Sequence, residues 1–329
     1  MTFGPAWRAS VGKTGYVLAI VAPGQGAQSP GFLAAWLESP ELAERLSSFS
    51  EVSGLDLARF GTEADAETIR DTAVAQPLLV AASLLAAQAL FDDTAAVADV
   101  VAGHSVGELA AMAIAGVLTA DDAMRLVSER GRAMAEASAL RPTSMTAVIS
   151  GDRDEVLAAI EAAGLTAANN NGSGQIVAAG TVEQLAAFGE IPPRRARLVP
   201  LSVAGAFHTV HMEPAVERLT TLAQSVTAEA PTTRLLSNRD GAVVTSGDDA
   251  LLRMVNQVAN PVRWDLCMDT FADLGVTGLL ELPPSGTLTG IAKRNLKGVE
   301  LFNLNTPDQL DEARDFCRAH SGATTNEAE

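Results

Sequence analysis

The segment Gly103-His104-Ser105-Val106-Gly107 limits what this chain can fold into more than any other stretch of it. The apolar run 99–102 reads as a short strand, and the small residues of 108–116 read as a helix. A strand that turns straight into a helix around G-x-S-x-G needs glycine on both sides of the serine, because the backbone bends sharply and other atoms come close. The serine is then exposed at the carboxyl end of the strand. The first N–H groups of the helix point toward negative charge developing beside it. The pattern predicts an α/β fold with a nucleophile at Ser105. The plainer reading is a chance pentapeptide at a strand–helix turn, since G-x-S-x-G alone is common.

The rest of the chain alternates in the same manner. Residues 16–22 read as a buried strand that runs into the turn Pro23-Gly24-Gln25-Gly26. Residues 30–48 read as helical, 72–91 as a long buried helix with Pro77 near its start, and 121–139 as a helix capped from Thr119. After Pro142 the order becomes β-α-β-β-α-β, with strands over 145–150, 166–169, 175–180 and 196–203, which is the ferredoxin-like pattern. Strands at 233–237 and 278–282 follow, with helices at 248–259, 265–274, 287–295 and 307–320. The expected fold class is therefore α/β. A large α/β-hydrolase-like domain with a mostly parallel sheet takes 17–139 and 205–320, and a small ferredoxin-like domain is inserted at 140–204. Residues 1–16 read as a disordered leader and 321–329 as a flexible tail.

With 329 residues, 47% of them hydrophobic, the chain can bury a large core. A net charge of −17 offers no basic field for phosphates or anionic lipid, so neither nucleic acid nor membrane is an expected partner. The apolar stretches 73–91 and 100–118 are interrupted by Gln76, Ser83 and Gln88, and by His104 and Glu108, so neither reads as a membrane span. No signal peptide is visible in 1–15. Cys267 and Cys317 give neither a disulfide framework nor metal-ligand spacing. The expectation is a cytoplasmic protein with reduced thiols, no metal and no cofactor.

A serine nucleophile needs a base. The chain has four histidines. His320 lies near the tail, and His104 sits inside the turn as a packing or hydrogen-bonding neighbour. His208 follows the last strand of the small domain, where the chain re-enters the large one, and interdomain clefts favour sites. It is the foremost candidate, with His211 the alternative. An oxyanion hole needs two N–H groups. Val106 is one candidate, and the loop Pro23-Gly24-Gln25-Gly26-Ala27-Gln28 supplies the other. No carboxylate stands out to orient the histidine, so a Ser–His dyad steered by a carbonyl or amide fits better. Asp240-Gly241-Ala242 leaves room for a patatin-like Ser–Asp dyad, though Asp240-Gly241 reads more simply as a β-turn.

Taken together, the motifs resemble malonyl-CoA:acyl-carrier-protein transacylases, the discrete bacterial enzymes of fatty-acid and polyketide synthesis, with an actinobacterial cast. The landmarks are P-G-Q-G-A-Q at 23–28, A-Q-P at 75–77, G-H-S-V-G-E at 103–108, R-G-R-A-M at 130–134, N-N-N-G-S-G-Q at 169–175, G-A-F-H at 205–208 and Q-V-A-N-P-V-R-W at 257–264. The resemblance implies Ser105 as nucleophile, His208 as general base, Gln25 and Val106 as oxyanion donors, and the main-chain carbonyl of Gln257 as the group orienting His208. It implies that Arg130 grips the free carboxylate of the malonyl group, which a planar guanidinium matches and an acetyl group cannot use. Phe207, Met134, Asn171 and His104 complete the implied substrate-binding set.

The implied reaction is ping-pong transfer from malonyl-CoA, through a malonyl ester on Ser105, to the phosphopantetheine thiol of acyl carrier protein. Carrier proteins of such systems are acidic, and the clusters Arg194, Arg195, Arg197 and Lys293, Arg294, Lys297 are the candidate docking residues, ordinary solvated surface being the alternative for each. A monomer is expected. The alternative functions are a serine hydrolase, patatin-like or thioesterase-like, and then a silent carrier-protein-binding module.

Overall fold

The computed structural model describes residues 15–91, 98–203 and 205–321. The expected leader at 1–16 and tail at 321–329 fall almost wholly outside the described residues. In chain order the strands are β1 Leu18–Ala22, β2 Val100–Gly103, β3 Thr143–Ser150, β4 Thr166–Asn170, β5 Gln175–Thr181, β6 Ala196–Pro200, β7 Arg234–Leu236, β8 Val243–Val244, β9 Val262–Arg263, β10 Gly278–Glu281 and β11 Glu300–Asn303.

The larger sheet has the order β11-β10-β1-β2-β7-β8, and every pair in it is parallel except the hairpin β7–β8. β1 and β2 are buried at every position, as central strands covered on both faces must be. The helix Thr72–Leu90 is capped by Asp71, which accepts from the Ala73 N–H, and it packs along the helix Ala120–Ala139. Among the described residues it is the one helix long and apolar enough to cross a membrane by length and composition, and it lies largely buried in this fold. A helix that is apolar all round is at home in the core of a large domain.

The smaller sheet has the order β6-β3-β5-β4-β9. β3 to β6 and the helices Arg153–Ala162 and Val182–Glu190 follow the β-α-β-β-α-β sequence, and all neighbours among these four strands are antiparallel. β9 comes from the later part of the chain and joins β4 in parallel, so the two halves of the molecule share this sheet.

Several local expectations need correction. The helical region expected at 30–48 is a short 3-10 turn, Ala35–Glu38, followed by the helix Pro40–Ser53. Ser39 separates them by capping the Leu42 N–H, with Pro40 at the first helical position. The strand expected over 196–203 stops at Pro200. The helices Leu57–Thr62 and Glu213–Ala223 and the short strands β8, β9 and β11 were not anticipated. β8 and β9 have two residues each, too few for any periodicity, and β11 is an edge strand exposed at both ends.

Candidate active site

β1 and β2 end side by side, Ala22 opposite Gly103, so the turns that follow share one edge of the sheet. The turn after β2 is very tight. A β-carbon on Gly103 would fall 2.0 Å from the Gly107 carbonyl carbon, and one on Gly107 would fall 2.3 Å from the Ala22 oxygen. Between them Ser105 is left-handed, with φ of 53°. Such a backbone persists only where its surroundings dictate it. Here the Ser105 N–H donates to Asn238 Oδ1 at 2.7 Å, while Asn238 Nδ2 donates to the Gly103 carbonyl at 2.8 Å.

His208 is also left-handed, with φ of 61°, and its N–H donates to the Val258 carbonyl at 2.9 Å. Its Nδ1 lies 2.7 Å from the Gln257 carbonyl and its Nε2 lies 2.7 Å from Ser105 Oγ. A carbonyl only accepts, so Nδ1 carries the proton and Nε2 turns its lone pair to the hydroxyl. Burial, and then the Arg130 charge, push the His208 pKa down to about 3. The imidazole is thus neutral at pH 7, as a general base must be.

Arg130 is fully buried on the helix Ala120–Ala139. Nη1 donates to Gln76 Oε1 at 2.7 Å, and Nη2 donates to Gln257 Oε1 at 2.8 Å and to Ser105 Oγ at 3.3 Å. Its Nε–H is buried without a partner among the described residues. Burial lowers its pKa to about 10, with Glu108 opposing the shift, so the guanidinium stays cationic at neutral pH. The guanidinium is held in place by neutral amide oxygens rather than by a carboxylate.

Behind the serine lies Glu108, buried in the first turn of the helix Gly107–Ile114. It accepts from the Asn238 N–H at 3.0 Å and from Gln257 Nε2. Burial raises its pKa to about 7, against these hydrogen bonds and the Arg130 charge.

The loop after β1 is tied down from the side. Gln25 Nε2 donates to the Arg70 carbonyl and Thr72 Oγ1 at 3.3 Å each, and Gln28 Nε2 donates to the Ile69 carbonyl at 3.1 Å. Met134 Sδ is 3.6 Å from Gln76 Nε2, and Phe207 is buried next to His208. His104 Nε2 is 2.9 Å from Asn171 Oδ1, and its ring meets Trp264 edge-on at 5.5 Å. The Asn171 contact joins the Ser105 turn to the segment just after β4.

The structure brings together Ser105, His208, Arg130 and Gln257, with His104 and Asn171 adjoining. It does not bring His211, whose residue lies on the 3-10 turn Val210–Met212, or His320, which bonds Thr277 Oγ1 at 3.1 Å. Asp240 pairs with Arg253 at 2.7 Å in the β7–β8 turn, where Gly241 has φ of 69°, and so is engaged away from any Ser–Asp dyad. The six candidate docking residues are exposed and in no ion pair among the described residues. Arg294 reaches Gln175 Oε1 at 3.4 Å, and the neighbouring Asn295 accepts from the Ser173 N–H at 2.8 Å, which sets the second cluster beside the turn carrying Asn171. No such contact ties Arg194, Arg195 or Arg197 to the site among the described residues.

Sequence reasoning missed the roles of Gln76, Glu108 and Asn238. Gln76 and Glu108 sit inside quoted landmarks, A-Q-P and G-H-S-V-G-E, and a polar residue inside an apolar run is the signal that marks both. Asn238 offered no signal beyond lying at a turn.

Comparison with known proteins matches residues 20–321 to the family described as acyl transferase domain. The malonyl CoA-acyl carrier protein transacylase of Mycobacterium tuberculosis is 50% identical over 298 residues, which cover 90% of this chain and 99% of that protein. The crystal structure of MCAT from Mycobacterium tuberculosis matches with a TM-score of 0.88 at 50% identity, over 91% of this chain and 100% of that one. A structure of a type II PKS acyl-carrier protein in complex with its malonyl-transacylase matches with a TM-score of 0.84 at 30% identity, over 91% of this chain and 99% of that one. On the family match across 20–321 and on relatives of this identity, the chain belongs to the acyl transferase family, among the malonyl CoA-acyl carrier protein transacylases.

Proposed function

We propose that this chain transfers a malonyl group from malonyl-CoA to the phosphopantetheine thiol of an acyl carrier protein, through an ester on Ser105. The observation that carries the reading is a buried guanidinium at the nucleophile: Arg130 Nη2 lies 3.3 Å from Ser105 Oγ, and its Nε–H has no partner among the described residues. An acyl group ending in its own carboxylate satisfies that donor. An acetyl group leaves it unpaired in the interior.

In this reading His208 Nε2 takes the Ser105 proton as Oγ attacks the thioester carbon. The N–H groups of Gln25 and Val106, for which no protein acceptor is found among the described residues, receive the oxyanion. The C–S bond breaks and His208 returns the proton to the coenzyme A thiolate. The carrier thiol then loses its proton to His208 and attacks the ester, and Ser105 regains the proton as it leaves. Phe207, Met134, Asn171 and His104 line the acyl site. All steps use the chain's own groups, without metal or redox cofactor.

The reading treats 17–139 and 205–320 as the catalytic domain, with 140–204 inserted. It takes the protein as a cytoplasmic monomer, which suits the two free cysteines. The acidic carrier docks on Lys293, Arg294 and Lys297, with Arg194, Arg195 and Arg197 as the second basic cluster, and charge reversal at either is expected to raise the KM for carrier protein. Incubation with labelled malonyl-CoA, with and without phosphopantetheinylated carrier, tests the reading as a whole. Label on the carrier supports it. Free malonate in place of malonyl-carrier points to a hydrolase, and a chain that takes no label points to a silent binding module.

A further inference from the structure

We infer that Glu108 is a positioning residue for the transfer: its carboxylate fixes which way the Gln257 amide points, and so holds Arg130 ready for the acyl carboxylate beside Ser105. The inference rests on the malonyl-transfer reading.

The two ends of a glutamine amide are almost the same shape, and half a turn exchanges donor for acceptor. What surrounds the amide decides which end points where. Gln257 Nε2 faces three acceptors: Glu108 Oε2, the Ser105 carbonyl at 3.2 Å and Asn238 Oδ1 at 3.1 Å. Its Oε1 is thereby left to Arg130 Nη2 at 2.8 Å. A turned amide would aim N–H groups at a guanidinium and an oxygen at a carboxylate. Of the three acceptors only Glu108 can carry a charge, and charge-assisted hydrogen bonds are the strong ones. The same carboxylate holds Asn238 through its main-chain N–H at 3.0 Å, and Asn238 Oδ1 in turn accepts from the Ser105 N–H at 2.7 Å. Glu108 therefore grips both residues that brace the nucleophile turn, and one of them also orients His208 through its main-chain carbonyl.

The arrangement places a neutral amide between two buried opposite charges. A carboxylate touching Arg130 directly would occupy the guanidinium. Here the attraction passes through Gln257, and the Arg130 Nε–H is left without a partner among the described residues. Burial raises the proton affinity of Glu108, and the Arg130 charge opposes that shift.

The test is Glu108→Gln, read as the rates at which malonyl-CoA and acetyl-CoA acylate Ser105, by intact mass, with thermal melting to follow the fold. An amide at 108 removes the one acceptor that can be charged and leaves the orientation of Gln257 to the neutral Ser105 carbonyl and Asn238 Oδ1. The expected result is a fall of about tenfold or more in the malonyl-to-acetyl rate ratio, the size of one hydrogen bond to a charged group. A purely structural role would lower both rates alike, so a folded Glu108→Gln protein with an unchanged ratio overturns the inference. If Glu108→Gln does not fold, Glu108→Asp decides. It keeps the charge but is too short to reach Gln257, so a smaller fall of the same sign is expected, and an unchanged ratio overturns the inference. A wild-type chain that forms no malonyl ester at all sinks the malonyl-transfer reading itself, a result distinct from a wild type that forms the ester and a variant that keeps its selectivity.

Discussion

Two strands of the large sheet, β2 and β10, each run into a helix through a turn that buries a glutamate, and the two turns are wired differently. After β10, Glu281 accepts from the Gly286 and Leu288 N–H groups at 2.9 and 3.0 Å, and from the Thr289 N–H and hydroxyl at 2.8 and 3.1 Å. Every one of these partners lies within eight residues, and the carboxylate closes the start of the helix Thr287–Asn295. After β2, Glu108 accepts instead from Asn238 and Gln257, which are 130 and 149 residues away. The first carboxylate finds its partners locally. The second turn is knitted from distant segments, and those segments also hold Ser105, His208 and Arg130. The Glu281 carboxylate is bonded within its own turn, whereas the Glu108 carboxylate is shared with remote residues that also contact Ser105, His208 and Arg130.

The comparison breaks most visibly at Ser105. Ser105→Ala is expected to abolish the covalent malonyl adduct and to lower transfer by at least about 10^4-fold, since members of a nucleophile–base pair act as a unit. An adduct that survives the substitution, seen by mass spectrometry, removes Ser105 from the role. Arg130→Ala comes next. It is expected to lower the malonyl rate by about 100-fold, roughly 3 kcal/mol, and to narrow the gap to acetyl-CoA. Retained malonyl selectivity in steady-state competition would count against a carboxylate grip at Arg130.

On the other turn the expectation inverts. Glu281→Ala leaves helix N–H donors without an acceptor and is expected to lower stability by about 1–3 kcal/mol in denaturant melts, with the malonyl-to-acetyl ratio unchanged. A shifted ratio there would erase the distinction between the two turns.

The smallest effect is a slope. Glu108 has a folded pKa of about 7 against an ordinary 4.5, so the folded chain binds this proton more tightly than the unfolded chain. Its contribution to stability therefore falls as pH rises between those values. His208, lowered from 6.5 to about 3, works oppositely, its contribution rising with pH between those two values. Removing the falling part alone, Glu108→Gln is expected to gain melting temperature relative to wild type between about pH 5 and pH 7. A difference that stays flat across that range would show that Glu108 does not titrate there.

Part of this was legible from residues alone. The Ser105 turn could be read because its geometry admits only glycine at Gly103 and Gly107, and chemistry of that shape leaves a pattern. His208 stood out because the chain has so few histidines and because it sits where the two halves of the chain rejoin. Arg130 looked like an ordinary helix arginine, and only the family resemblance singled it out. Its partners Gln76 and Gln257 are 54 and 127 residues away, a separation that leaves no local trace. Glu108 shows in the sequence only as a polar break in an apolar run. It is 4% exposed because the helix starts inside the molecule, and its partners Asn238 and Gln257 are 130 and 149 residues away. β9 was invisible for a related reason: two residues become a strand only by pairing with β4.

The central claim is that a serine–histidine dyad beside a buried arginine selects an acyl group carrying its own carboxylate. The most direct measurement offers the wild-type chain equal amounts of malonyl-CoA and acetyl-CoA without carrier protein and weighs the intact product. One malonyl group per chain, mapped to Ser105, is the predicted result. An acetyl adduct as abundant as the malonyl one, or a malonyl group on another residue, would contradict it.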